Sequence, residues 1–178
     1  ALTESAPGVR LHISPPGADY VQRVRAGAVD LAVMPREVFT EYQQVPHEYL
    51  FSDRFVCAVD ATHPDVEGEL TVEQFSSLPY LATSCGHGIS PAESQLDRLG
   101  VTRNVELTTE YGMAPLMLVG TRRVALVHER LVRQVASPGS LRLFEPPIPM
   151  EPINEVMVWA ARYDDDPGHR WLREHLRA

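Results

Sequence analysis

The chain has 178 residues, 44% of them apolar and 22% charged, the balance of a folded globular protein large enough for one domain or two small lobes. Its net charge of −8 argues against holding nucleic acid by its own field, and no apolar run is long enough to span a bilayer or to mark a signal peptide. All sixteen basic residues are arginine, which excludes a Walker-type phosphate loop and Schiff-base chemistry, since both need a lysine.

In chain order, "VRLHI" at 9–13 alternates apolar and polar residues, as a strand does. "PPGADYVQRVRAGA" predicts turn residues and then a helix with Tyr20, Val21 and Val24 on one face and Gly27 near its end. "DLAVMP" follows as a strand, so strand, helix and strand predict a parallel βαβ unit. That unit lies so near the first residue that the chain is expected to begin inside a domain. Residues 36–48 read as loop, "DRFVCAVD" at 53–60 as a strand, and "THPDVEGE" as a solvated turn.

Thr71 with Gln74 is a capping-box pattern that opens a helix over "VEQFSSL". "PYLAT" reads as a short strand and "SCGHGIS" as a loop of small residues. Ser90, Pro91 and Glu93 supply an N-cap, an N1 proline and a capping-box acid, and Gly100 stops the helix they begin. A strand at "RNVELTT", a short helix at "GMAPLMLVG", a buried strand at "RRVALV" and a helix at "HERLVRQVA" follow. The proline-rich "LRLFEPPIPMEPINE" reads as an extended crossing segment. "VMVWAAR" predicts a strand, and Asp166 and Pro167 open a closing helix with Trp171, Leu172 and Leu176 as its apolar face. The alternation makes the class α/β. Cys57 and Cys85 make no disulfide framework, which points to a reducing cytoplasm.

Four stretches in order, "RAGAVDLAVMP", "FSDRFVCAVDATHP" with "LTVEQFSSLPYL", "LMLVGTRRVALVHERL" and "VMVWAARYDDDPGHRWLREHLRA", cover nearly the whole chain. In that order and spacing they resemble the effector-binding domain of LysR-type transcriptional regulators, the nodulation-regulator-like branch above all. The resemblance implies a two-lobed periplasmic-binding-protein-like fold (type 2) with two crossover strands. Lobe I would comprise residues 1–57 and 143–178, and lobe II residues 58–142. It further implies a small-molecule effector in the cleft, an upstream strand, and a winged helix-turn-helix that contacts DNA. A homodimer or homotetramer in the cytoplasm, away from membranes, completes the expectation.

Ligands of open α/β sheets bind where strands end and helices begin. Met34 and Pro35 end one strand, followed by the exposed-type Arg36. Thr83, Ser84, Cys85, Gly86 and His87 lead toward the helix at Pro91, where small residues and a helix N-terminus suit an anion. The stretch "TEYG" at 109–112 precedes the next helix and carries Tyr111, with Met113 nearby, and His128 ends "RRVALV". These are the effector-binding candidates, for a small organic molecule of aromatic or carboxylated type. Each has a plainer reading as an ordinary turn, cap or packing residue.

No enzyme, cofactor or metal is expected. Cys85 and His87, two apart on a strand-like loop, point away from each other and lack an orienting partner. Cys85, His87 and His128 lack a further metal ligand, and His169 and His175 do not share a helix face. Residues 164–166, "DDD", form a turn and a helix cap. An extracytoplasmic solute-binding protein is the alternative of the same fold, and an upstream signal peptide would favour it. A two-lobed enzyme is a third.

Overall fold

The computed structural model describes residues 2–14, 19–38, 45–86 and 88–177. In chain order these form α1 (Leu2–Ser5), α2 (Tyr20–Ala26), β1 (Leu31–Pro35), β2 (His47–Asp53), β3 (Phe55–Asp60), α3 (Val72–Ser77) and β4 (Pro79–Cys85). Then come β5 (Gly88–Ile89), α4 (Pro91–Arg98), β6 (Asn104–Glu110), α5 (Ala114–Leu118), β7 (Ala125–His128), α6 (Glu129–Val135), β8 (Leu141–Phe144), β9 (Ile153–Trp159) and α7 (Pro167–Leu176). Two compact units result, one of residues 1–51 with 155–178, the other of residues 52–154.

The second unit is organised around β3, buried along its whole length. A strand covered on both faces needs a continuous apolar run, and "FVCAV" is one. β3 pairs antiparallel with β7 on one side and β8 on the other. β4 pairs in parallel with β6, and a parallel bridge between Tyr80 and Val124 joins β4 to β7. The strand run is therefore β8-β3-β7-β4-β6. Phe55, Cys57, Tyr80, Leu126, Phe75 of α3 and Leu96 of α4 pack on one face. Val56, Ala58, Leu81, Val127, Leu118 of α5 and Val132 of α6 pack on the other.

The first unit is a three-stranded sheet, β1-β9-β2, with Val24, Met34, Val45, Val156 and Val158 in its core. β1 runs antiparallel to β9. α7 docks through a polar face: His169 stacks on Tyr163 at 4.9 Å, and the Arg173 guanidinium lies 4.4 Å from the centre of the Trp159 ring. The His169 Nε2–H donates to the Asp30 carbonyl, which leaves Nδ1 to accept from Arg173.

Several expected devices are in place. Thr71 and Gln74 form the reciprocal capping box, Ser90 and Asp166 cap α4 and α7, and Gly100 takes a left-handed conformation after α4. Other expectations are corrected. Residues 9–13 are not a strand, and Val9, Leu11 and Ile13 are exposed; a strand needs a ladder partner, and none lies alongside among the described residues. The parallel βαβ unit is accordingly absent there. His47–Asp53, of which only His47 and Glu48 were read as loop, is a strand because β9 is its hydrogen-bonded neighbour. Leu141–Phe144, read as crossing chain, is β8, paired with β3. Glu93 does not complete a capping box; its carboxylate is buried and accepts from the Tyr80 hydroxyl and the Thr83 N–H. On α7 the buried side chains are His169 and Arg173, with Trp171, Leu172 and Leu176 only half-buried.

Gly27 ends α2 at φ 71°, with its N–H turned back to the helix carbonyls. A Cβ there would lie 1.1 Å from the Arg162 guanidinium. Gly27→Ala should therefore lower stability by about 1–2 kcal/mol, from the left-handed backbone and the displaced arginine together. Urea denaturation at constant m checks this, and an unchanged midpoint would contradict it.

Candidate functional site

β4, β6 and β7 run in the same direction, and β3 and β8 are antiparallel and parallel to them respectively. One edge of the second unit thus carries the carboxyl ends of β4, β6, β7 and β8 and the amino end of β3. Ser84 and Cys85, Glu110, and His128 lie at strand ends on that edge, and Tyr111 directly follows Glu110. The sequence-named Ser84, Cys85, Gly86, Tyr111 and His128 are therefore collected in one region by the parallel register.

The stretch after Thr83 is not a plain strand-to-helix turn. β4 continues to Cys85, and Ser84 and Cys85 pair back with Ile89 and Gly88. Gly86 turns the corner at φ 60°. Thr83 is buried, its Oγ1 lying 2.7 Å from Ser90 Oγ, so its hydroxyl is committed to the cap of α4. Ser90 in turn accepts from the Glu93 N–H.

The donors of the turn meet an acid from the neighbouring strand. Ser84 lies opposite Glu110 in the β4–β6 register. The Gly86 N–H donates to Glu110 Oε2 at 3.2 Å, and the Ser84 hydroxyl reaches the Thr109 carbonyl at 3.2 Å and Glu110 Oε1 at 3.4 Å. Tyr111 continues into a single 3-10 turn over Tyr111–Met113, leaving its own ring and Met113 exposed.

His128 sits between two rings, 5.0 Å from Phe55 and 5.9 Å from Tyr111. Burial holds its imidazole below the ordinary value of 6.5, and the charge of Asp53 opposes that only in part. Although His128 occupies the N-cap of α6, its side chain does not cap it. Asp53 does so instead, accepting from the Arg130 N–H at 3.2 Å, while the Arg54 carbonyl takes the Glu129 N–H.

Beside this end of β3 lies an open cavity of about 480 Å³, lined in part by Arg54, Leu70, Glu129, Phe144, Glu145 and Pro147. Four of its charged residues are tied to one another. Arg54 bridges Glu129 and Glu145 at 2.5 Å each, and Arg133 also holds Glu129. The two arginines depress the Glu129 carboxyl to about 2. None of the sequence-named residues lines this cavity.

Met34 and Pro35 belong to the other unit. Met34 is a core side chain paired across from Val156, and Pro35 is half-buried before an exposed Arg36. His87 lies outside the described residues. Among the described residues no group of three or more His, Cys, Asp or Glu side chains is arranged to hold a metal, and no helix is long and apolar enough to cross a membrane. Sequence reasoning placed Glu110 only in a strand-end stretch, and it gave no site role to Asp53 or Phe55. Their roles depend on strand register, which a single sequence does not display.

Two α/β units, with the chain passing between them near residues 51–52 and 154–155, have the architecture of the periplasmic-binding-protein-like class. The LysR substrate binding domain family matches residues 1–178, and the chain belongs to that family. It is 32% identical over 176 residues to nodulation protein D 2 of Rhizobium tropici, covering 97% of this chain and 55% of that protein. Nodulation protein D 1 of Mesorhizobium japonicum is 31% identical over 178 residues, with 98% and 56% covered. The chain thus spans about half the length of these relatives. In fold it is similar to a probable transcriptional regulator of Pseudomonas aeruginosa (TM-score 0.85, 22% identity, 99% of this chain and 60% of that one). It is likewise similar to the regulatory domain of MexT, a transcriptional activator in the same organism (TM-score 0.77, 21% identity, 99% and 87% covered). The fold is the type 2 periplasmic-binding-protein-like one.

The His128 environment has a pH consequence with a definite sign. Its folded pKa lies below its unfolded one, so the unfolded chain takes up the proton first as pH falls through 6.5. The contribution of the neutral ring is present above that value and is lost on acidification. His128→Gln should therefore lose less stability than the parent between about pH 7.5 and about pH 5.5. Equal losses in parallel denaturant titrations would show that the ring is not held neutral.

Proposed function

We propose that the chain is the effector-sensing domain of a bacterial LysR-type transcriptional regulator. The match to the LysR substrate binding domain over residues 1–178 carries this reading. A small organic effector binds at the strand-end edge of the second unit, where Ser84, Cys85, Gly86, Tyr111 and His128 gather. Binding shifts an equilibrium between two arrangements of the protein by its difference in affinity for them. DNA is contacted through an N-terminal winged helix-turn-helix, not through this acidic region, and the regulator works as a homodimer or homotetramer in the cytoplasm. The site releases its ligand unchanged, so this is a sensor and not an enzyme. The family match favours this reading over a transporter's solute-binding protein.

Gel shifts test the division of labour. The full-length protein should retard duplex carrying its own promoter region, and residues 1–178 alone should not. Specific retardation by this region alone would sink the assignment.

A second test addresses the site. In the full-length protein Ser84→Leu should remove the effector response in a reporter assay, because the longer apolar side chain fills the turn. Ser84 is half-buried at a strand end, so the thermal midpoint should move little, by the equivalent of about 1 kcal/mol or less. An undiminished response with the leucine in place would show that the turn is not the site.

A further inference from the structure

We infer that Glu110 is a charge-selecting residue: its carboxylate fills the anion-accepting position of the Ser84–Gly86 turn, so the site takes uncharged or cationic molecules bearing hydrogen-bond donors and rejects carboxylates. This rests on the reading of that edge as the effector site and names the ligand class it accepts. The turn by itself would suit an anion. A backbone N–H at a tight Gly corner and a neighbouring hydroxyl are the donors that commonly hold phosphate or carboxylate oxygens.

Here both donors converge on one acid of the same chain, Gly86 N–H on Glu110 Oε2 and Ser84 Oγ on Oε1. The convergence is set by register, since Glu110 lies directly across from Ser84 on the parallel partner strand. Glu110 is exposed, and an ionised carboxylate can accept about four hydrogen bonds. The two donors therefore leave it lone pairs to offer a ligand. An amide N–H or a hydroxyl can use them. A second carboxylate cannot donate, meets a like charge at close range, and must break both contacts to reach the turn. The nearby ring of His128, held neutral by burial, supplies no compensating positive charge.

Three probes of nearly one shape and different charge test this: benzoate, benzamide and benzamidinium, titrated calorimetrically into the full-length protein. Glu110→Gln keeps a side-chain oxygen for the Gly86 N–H and removes the charge, and Ser84→Leu reports where the probes bind. The expected result is that the parent binds benzamide and benzamidinium at least tenfold more tightly than benzoate. Glu110→Gln should narrow the benzamide-to-benzoate ratio by tenfold or more and weaken benzamidinium, while Ser84→Leu abolishes binding of all three. A merely structural role for Glu110 would weaken the three probes alike and leave their ratios unchanged, and that outcome overturns the inference while leaving the site assignment intact. Binding that survives Ser84→Leu unchanged overturns the site assignment and this inference with it, as does failure of benzamide to bind the parent at millimolar concentration.

Discussion

The geometry of the candidate site depends on one carboxylate placed where carboxylates are expensive. Glu93 is 4% exposed beneath β4, with its pKa raised chiefly by burial. It remains tolerable because the Tyr80 hydroxyl and the Thr83 N–H donate to one oxygen and Arg103 lies 3.2 Å from the other. Those partners belong to β4 and to the approach to β6, while Glu93 itself is in the first turn of α4. One side chain thus ties the end of β4 to the start of α4 and to the strand beyond it. Thr83 and Ser90, joined by their hydroxyls, close the same knot. If the knot loosened, Ser84 would no longer be held across from Glu110, and the edge would lose its arrangement.

The same device recurs around the second unit with other acids. Asp53 caps α6 from the end of β2. Asp60 accepts from Thr62 and from the Gly120 N–H, and these bonds hold its carboxyl near 2 while pinning the end of α5 to the end of β3. Glu129 gathers Arg54 and Arg133 at the mouth of the cavity. Asp60 and Glu129 favour the ionised state in the fold, so their contributions fade as pH falls toward 2. Glu93 has the opposite sign, since burial raises its pKa and protonation relieves the cost. The acidic balance of the chain is in part structural: several carboxylates serve as turn and helix-end acceptors, with arginine as partner wherever a cation is called for.

What could be read from sequence was mostly local. The capping box at Thr71 and Gln74, the caps at Ser90 and Asp166, and the stop at Gly100 all follow from chemistry within a few residues. Elements defined by distant partners were not legible. The alternation at 9–13 has the look of a strand, yet a ladder is a property of two segments. "HEYLFSD" and "LRLF" look irregular alone and become strands through β9 and β3. Glu93 fits a capping-box pattern perfectly well, but a buried tyrosine hydroxyl and a backbone N–H outbid the cap. The site followed the same division. Its strand-end candidates came from punctuation along the chain, whereas Glu110 and Asp53 act across strands and waited on the register.

A sensor needs an equilibrium that a ligand can move, and internally satisfied polar groups supply one at little cost. The Ser84 hydroxyl and the Gly86 N–H already hold hydrogen bonds to Glu110, so a ligand that takes over one of them exchanges bonds instead of adding one. The net gain of such an exchange is small, on the order of 1 kcal/mol per bond, so discrimination falls to charge and shape. A like charge is repelled by Glu110, and a ligand that fails to replace a broken hydrogen bond leaves a half-buried donor of the turn unpaired. Apolar contact with the exposed Tyr111 and Met113 can then supply affinity without deciding identity. On this view the same contacts that keep the edge ordered decide which molecules can replace them, and stability and selectivity reside in one set of hydrogen bonds.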